Sequence, residues 1–173
     1  ELKIRKDRFS LEENYIFSKL NSTIRKATKT FDEYKLNEIP TLVEDLFLKL
    51  SRTYIQLTRD KSAGEDKKVV LYTVYNVLIE TLKMFAPIAP FITEKIFQSL
   101  KKEFNLEKES IHHYEWPKCD EKFIDKDLEN EMDDISDVLQ TILSLREKIN
   151  LGIRWPLQEA VVVTKDENTI KAV

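Results

Sequence analysis

The feature that most constrains this chain is a succession of long segments whose apolar side chains return every three or four residues. Ile16, Leu20, Ile24, Ala27 and Phe31 do so in residues 11–32, the spacing of one helix face. Ser10 followed by Glu13 has the form of a capping box and marks the start of that helix. Residues 38–59 carry Ile39, Leu42, Val43, Leu46, Phe47, Leu50, Tyr54 and Leu57, with Pro40 suited to a first helical turn. Residues 66–86 are the most apolar. Val70, Val74, Val77, Leu78, Leu82 and Phe85 line one side, and Leu71, Tyr75 and Ile79 fall on others. A helix apolar over so much of its girth belongs at the centre of a bundle. Pro87 and Pro90 break it, and a fourth helix over 90–104 is expected to turn Ile92, Ile96, Phe97 and Leu100 inward. Residues 105–124 lack periodicity. A fifth helix over 125–149 carries Leu128, Met132, Ile135, Leu139, Ile142, Arg146 and Ile149, with Gly152 and Pro156 expected to stop it. The β-branched run within Glu159–Thr164 reads as a short strand.

These segments predict a mainly α protein, an antiparallel helix bundle with a small C-terminal αβ appendage. The expected organisation is a four-helix core over 1–104, a connecting loop over 105–124, and a fifth helix plus strand over 125–173. Because the chain opens on Glu1 and a lone strand has unpaired edges, we expect it to be a piece of a longer protein. Two glycines in 173 residues leave no room for the many tight turns of a β-sandwich. No apolar run reaches the roughly 20 residues of a membrane span, so no membrane partner is expected, and a single cysteine fits a reducing cytoplasm.

Catalytic signatures are missing one after another. Gly64 and Gly152 cannot make a glycine-rich phosphate loop or a nucleophile elbow. Cys119 has no evident base, and His112 and His113 are adjacent with no spacing that suggests metal ligation. No catalytic residue, metal site or cofactor is expected in the chain itself. Asn21-Ser22-Thr23 has the form of a glycosylation acceptor but falls inside a predicted helix, and we set it aside.

Charge is polarised although the net charge is only −3. Residues 1–30 sum to +4, 49–68 to +3 and 120–137 to −7. Arg52, Arg59, Lys61, Lys67 and Lys68 surround the turn between the second and third helices, with Tyr54 among them. Such a turn can grip a nucleic-acid backbone while a ring stacks on an unpaired base. Ordinary surface lysines on a solvated turn give the same pattern. Arg154 and Trp155 form a second basic–aromatic pair, for which a hydrophobic plug between bundle and strand is the competing reading. Trp116, before Pro117, reads as a loop anchor.

The run Phe85-Ala86-Pro87-Ile88-Ala89-Pro90-Phe91, with Glu94, Ile96 and Phe97, resembles the anticodon-binding helix bundle of class I aminoacyl-tRNA synthetases. Asp7-Arg8-Phe9, Ser18-Lys19-Leu20-Asn21, Leu50-Ser51-Arg52-Thr53-Tyr54-Ile55, Arg59-Asp60, Ser110-Ile111-His112 and Glu115-Trp116-Pro117 extend the likeness along the chain. Thr53 stands where that family usually carries Trp. The stretches Leu145–Lys148 and Ile153-Arg154-Trp155-Pro156-Leu157 through Val162 are similar to the isoleucyl enzymes of the eukaryotic and archaeal kind. The resemblance implies a bundle that holds the anticodon stem-loop of tRNA(Ile). It also implies a parent enzyme that joins isoleucine to tRNA with ATP and Mg²⁺, using catalytic and editing domains elsewhere in its chain. On that basis Arg52, Tyr54, Arg59, Lys61, Lys67, Lys68, Arg154 and Trp155 become candidate tRNA contacts. A helical protein–protein module, or the equivalent domain of a valyl or leucyl enzyme, is the alternative.

Overall fold

The computed structural model describes residues 8–64, 66–152, 154–159 and 161–164. They form two compact units divided between Ile124 and Asp125. Among the described residues every regular element is helical.

The first unit begins with α1 (Leu11–Asp32). The Glu13 carboxylate accepts from the Ser10 backbone N–H at 2.9 Å, completing the expected capping box. The helix ends without glycine. Tyr34 takes the left-handed conformation (φ 57°), and Tyr34 and Lys35 donate back to Phe31 and Thr30.

The second rod starts as α2 (Ile39–Leu48), widens into a π-helical stretch over Lys49–Tyr54, and closes with the short α3 (Ile55–Leu57). Its buried positions explain the widening. Leu46, Leu50, Tyr54 and Thr58 are all buried and lie four residues apart. In an α-helix of 3.6 residues per turn each such step drifts by about 40°. The wider π turn absorbs that drift and keeps all four side chains on the core. Phe47 and Leu57, which the even stripe predicts to be inward, are nearly half exposed.

α4 (Lys67–Phe85) is central as expected, packing on α1, α2 and α5. It buries Val69, Val70, Val77, Ile79, Leu82 and Met84. α5 (Pro90–Phe104) begins at the expected proline. Its inward face differs from expectation: Thr93 and Phe97 are buried, whereas Ile92 and Ile96 are 52% and 37% exposed. Thr93 can go inside because its hydroxyl donates to the carbonyls of Ala89 and Pro90. Phe97 then joins Ile79, Leu82, Ala86 and Ile111 in a cluster. Neighbouring rods in chain order run antiparallel. Glu13 near the start of α1 bonds Tyr54 near the end of the second rod, and Tyr75 midway along α4 meets Phe104 at the end of α5.

Residues 105–124 are not a free loop. Two 3-10 turns (Ile111–His113 and Glu121–Phe123) interrupt a strap that is pinned at both ends. Glu94 accepts from Ser110 Oγ (2.8 Å) and from the Ile111 N–H (3.1 Å). Trp116 lies edge-on to Phe31 and donates to Thr28 Oγ1 at 2.8 Å, the anchoring role expected of it. Asn21 closes the strap by accepting from the Asp120 N–H (2.8 Å) while donating to the Phe17 carbonyl (2.8 Å). Its amide is buried and bonded through both Oδ1 and Nδ2, so the glycosylation motif serves packing. Burial raises the Cys119 thiol pKa, which keeps it protonated and poorly nucleophilic.

The second unit contains α6 (Lys126–Lys148), capped by the Asp125 carboxylate accepting from the Leu128 N–H at 3.0 Å. It stops before Gly152. Asn150 enters the left-handed region (φ 53°), with Asn150 and Leu151 donating to Glu147 and Arg146. The strand expected within Glu159–Thr164 is not formed by its described members: Val161–Thr164 carry no regular secondary structure. Ala160, in the middle of that run, lies outside the described residues, as do Lys3, Arg5 and Lys6 of the basic N-terminal stretch.

Candidate nucleic-acid interface

The basic turn is built by the connection from α3 to α4. Thr58, buried, caps the preceding turn through Oγ1 to the Tyr54 carbonyl (2.8 Å). A 3-10 turn over Lys61–Ala63 follows, and Asp66 leads into α4. The geometry sorts the predicted residues into two groups.

Tyr54 and Lys61 hold the turn in place. Tyr54 is wholly buried, so it cannot offer a ring to a base, and this corrects the stacking role expected of it. Its hydroxyl donates to Glu13 Oε1 at 2.9 Å. Burial, with the Glu13 carboxylate beside it, raises the phenol pKa well above its usual value, so the proton stays on the donor. Lys61 Nζ donates to Ser10 Oγ (2.7 Å) and to Glu12 Oε2 (2.8 Å). Burial of Glu12 opposes its ionisation, but the hydrogen bonds from Lys61 and Ser10 outweigh that and lower its pKa. These bonds tie the start of α1 to the turn across about fifty residues of sequence. A local capping-box reading of Glu13 missed the link, because nothing in the sequence shows which side chain from the second rod will meet the cap.

Arg52, Arg59, Lys67 and Lys68 are exposed, and none of their charged side-chain groups has a hydrogen bond or ion pair among the described residues. Arg52 projects from the π-helical stretch, and Arg59 stands just past α3. Lys67 and Lys68 occupy the first turn of α4, where the helix dipole adds to their attraction for an anion. Asp60 and Asp66 are exposed on the same turn and moderate its charge. The result is an edge of separated cations that can meet phosphates spaced along a backbone.

Arg154 and Trp155 belong to the second unit and are described within it. Trp155 is 69% exposed. Its backbone is held by Arg146, whose Nη2 donates to the carbonyls of Gly152 and Trp155, the latter at 2.6 Å. A Cβ on Gly152 would meet Trp155 Cδ1 at 3.3 Å, so glycine suits the tight turn. The described residues contain no group of three His, Cys, Asp or Glu able to hold a metal ion. No described helix is long and apolar enough to cross a membrane.

The chain is 33% identical over 177 aligned residues to the isoleucine–tRNA ligase of Pyrococcus horikoshii, covering 99% of this chain and 16% of that protein. It is 34% identical to the ligase of the same name from Thermococcus kodakarensis (95% of this chain, 16% of that one) and 35% identical to that of Clostridium tetani (88% and 15%). The chain thus spans about a sixth of the length of these curated relatives. A family model described as the anticodon-binding domain of tRNA ligase matches residues 13–162. With that match over most of its length, the chain belongs to the anticodon-binding domain family of tRNA ligases.

Proposed function

We propose that this chain binds the anticodon stem-loop of tRNA(Ile) as one domain of an isoleucine–tRNA ligase. The observation that carries the reading is the unpaired cationic edge of Arg52, Arg59, Lys67 and Lys68 on a bundle of this family. Trp155 and Arg154 are proposed as a second contact, the indole being open to solvent and its backbone clamped. The chain acts by binding alone. ATP, Mg²⁺ and the joining reaction belong, in this reading, to catalytic and editing domains elsewhere in a cytoplasmic parent. We take residues 1–104 as the bundle core, 105–124 as its strap, and 125–173 as the start of an αβ appendage whose strand would pair with chain outside this sequence. The exposed Phe91, Ile92 and Ile96 favour a second, compatible reading in which α5 docks on another protein surface, such as those other domains.

Filter binding tests the first reading. Arg59→Glu with Lys68→Glu should weaken capture of an anticodon hairpin at low salt and leave the circular dichroism spectrum unchanged. Undiminished capture by the double variant would remove this edge from the interface.

A further inference from the structure

Within the first unit, α1, α4 and the strap border an open groove of about 320 Å³ that the cationic edge does not include. Four rings line it. Phe9 stacks on Phe17 (centroids 5.0 Å apart, planes at 17°), Phe17 meets Phe123 at 5.5 Å, and Phe9 meets Tyr72 at 6.3 Å. The volume is at the small end for ligand sites and suits one flat ring system rather than a peptide.

The groove's polar groups are mostly acceptors. Asn76 donates one of its two amide N–H groups to the Tyr72 carbonyl at 2.7 Å, and its Oδ1 has no partner among the described residues. Glu80 binds Lys83 through Oε1 at 2.6 Å, leaving Oε2. Asp120 accepts from the Lys122 N–H through Oδ1, and Asn21 is closed by its bonds to Phe17 and Asp120. Lys118 stands at the rim, paired with Glu115 at 3.4 Å. An acceptor-lined slot with two carboxylates repels phosphate and favours an uncharged ring that donates N–H.

Its position links it to the cationic edge. Phe9 immediately precedes Ser10, the residue that Lys61 grips. Tyr72 lies one helical turn beyond Lys68 on α4. A backbone lying on Lys67 and Lys68 would therefore carry its next unstacked base past the mouth of the groove.

We propose that this groove receives one unstacked base bearing an exocyclic amino group, stacked against Tyr72 and Phe9 with its amino group donating to Asn76 Oδ1. This rests on the RNA-binding reading above and deepens it. Base–aromatic stacking of this kind tolerates the chain's irregular path, and the amide supplies the selectivity.

The test uses the full-length parent polypeptide and anticodon hairpins carrying an abasic nucleotide at each unpaired position in turn. Tyr72→Ala should weaken binding of the intact hairpin by about 5- to 150-fold. It should have no further effect on the one hairpin whose abasic position matches the groove. Tyr72→Leu, which keeps packing volume without the ring, should behave alike and guards against a folding defect. Asn76→Leu should lose the preference for an amino-bearing base at that same position. If Tyr72→Leu binds every hairpin as the wild type does while Lys68→Glu weakens all of them, the groove is not a base site and the cationic edge stands. A uniform loss across all abasic hairpins would likewise overturn the groove, because no single base would then be coupled to the ring. Failure of the wild type to bind any hairpin at low salt would overturn both readings.

Discussion

At the scale of single residues, several positions do work that their type alone would not suggest. Tyr34, 89% exposed, sits in the left-handed region where a Cβ is crowded. Tyr34→Gly should raise stability by about 1 kcal/mol in urea unfolding, the relief of that strain exceeding the added chain entropy. Tyr54 donates a hydrogen bond to a buried Glu13. Tyr54→Phe removes that donor and should cost about 1–3 kcal/mol, read from the shift in urea midpoint. Glu12 makes a pH-dependent contribution. Its carboxyl pKa lies below the ordinary carboxylate value in the folded chain. The Lys61–Glu12 contact therefore stabilises above about pH 4.5 and is lost as pH falls through the lowered value. In paired melts at pH 6.5 and pH 3, the advantage of wild type over Glu12→Gln should be larger at the higher pH and shrink at the lower; a constant gap would contradict the linkage. Of the candidate site, charge was legible in the sequence but use was not. Arg59, Lys67 and Lys68 stay free, while Lys61, identical in type to the last two, is captured by Ser10 and Glu12.

At the scale of elements, helix positions were readable and helix faces less so. The starts at Leu11, Ile39, Lys67, Pro90 and Lys126 fall within a residue or two of what periodicity and capping residues predict. The stops fall equally close, although three of the helices are followed by a left-handed Tyr34, Asn105 or Asn150 rather than by glycine. On α5, whether Ile92 or Thr93 goes inward depends on the partner surface of α4, which its own sequence does not contain. The cluster joining α4, α5 and the strap gives a direct test. Leu82→Ala should cost about 2–5 kcal/mol of stability through the cavity it leaves, measured by urea unfolding. The strap shows the same limit: its anchors Trp116 and Asn21 are visible as residue types, but their bonds cross from one element to another.

At the scale of the whole molecule, function is a matter of field and spacing. If the cationic edge meets phosphates, the logarithm of the binding constant for RNA should fall linearly with the logarithm of salt concentration. Removing each contacting cation should flatten that slope by roughly 0.7–0.9. Titrations of Arg59→Ala, Lys67→Ala and Lys68→Ala across salt would show this; slopes equal to wild type would place the phosphates elsewhere. What the sequence by itself determined is the helical architecture, the absence of familiar catalytic signatures and the concentration of positive charge between the second and third helices. Those follow from periodicity, composition and local charge, which act over a few residues. Only the tertiary structure decided that Tyr54 is a buried donor rather than a stacking ring, and that Lys61 is a tether. It alone brought Phe9, Tyr72 and Phe123 around one groove. Each of those outcomes is set by desolvation and by partners tens of residues away, and no local pattern encodes them.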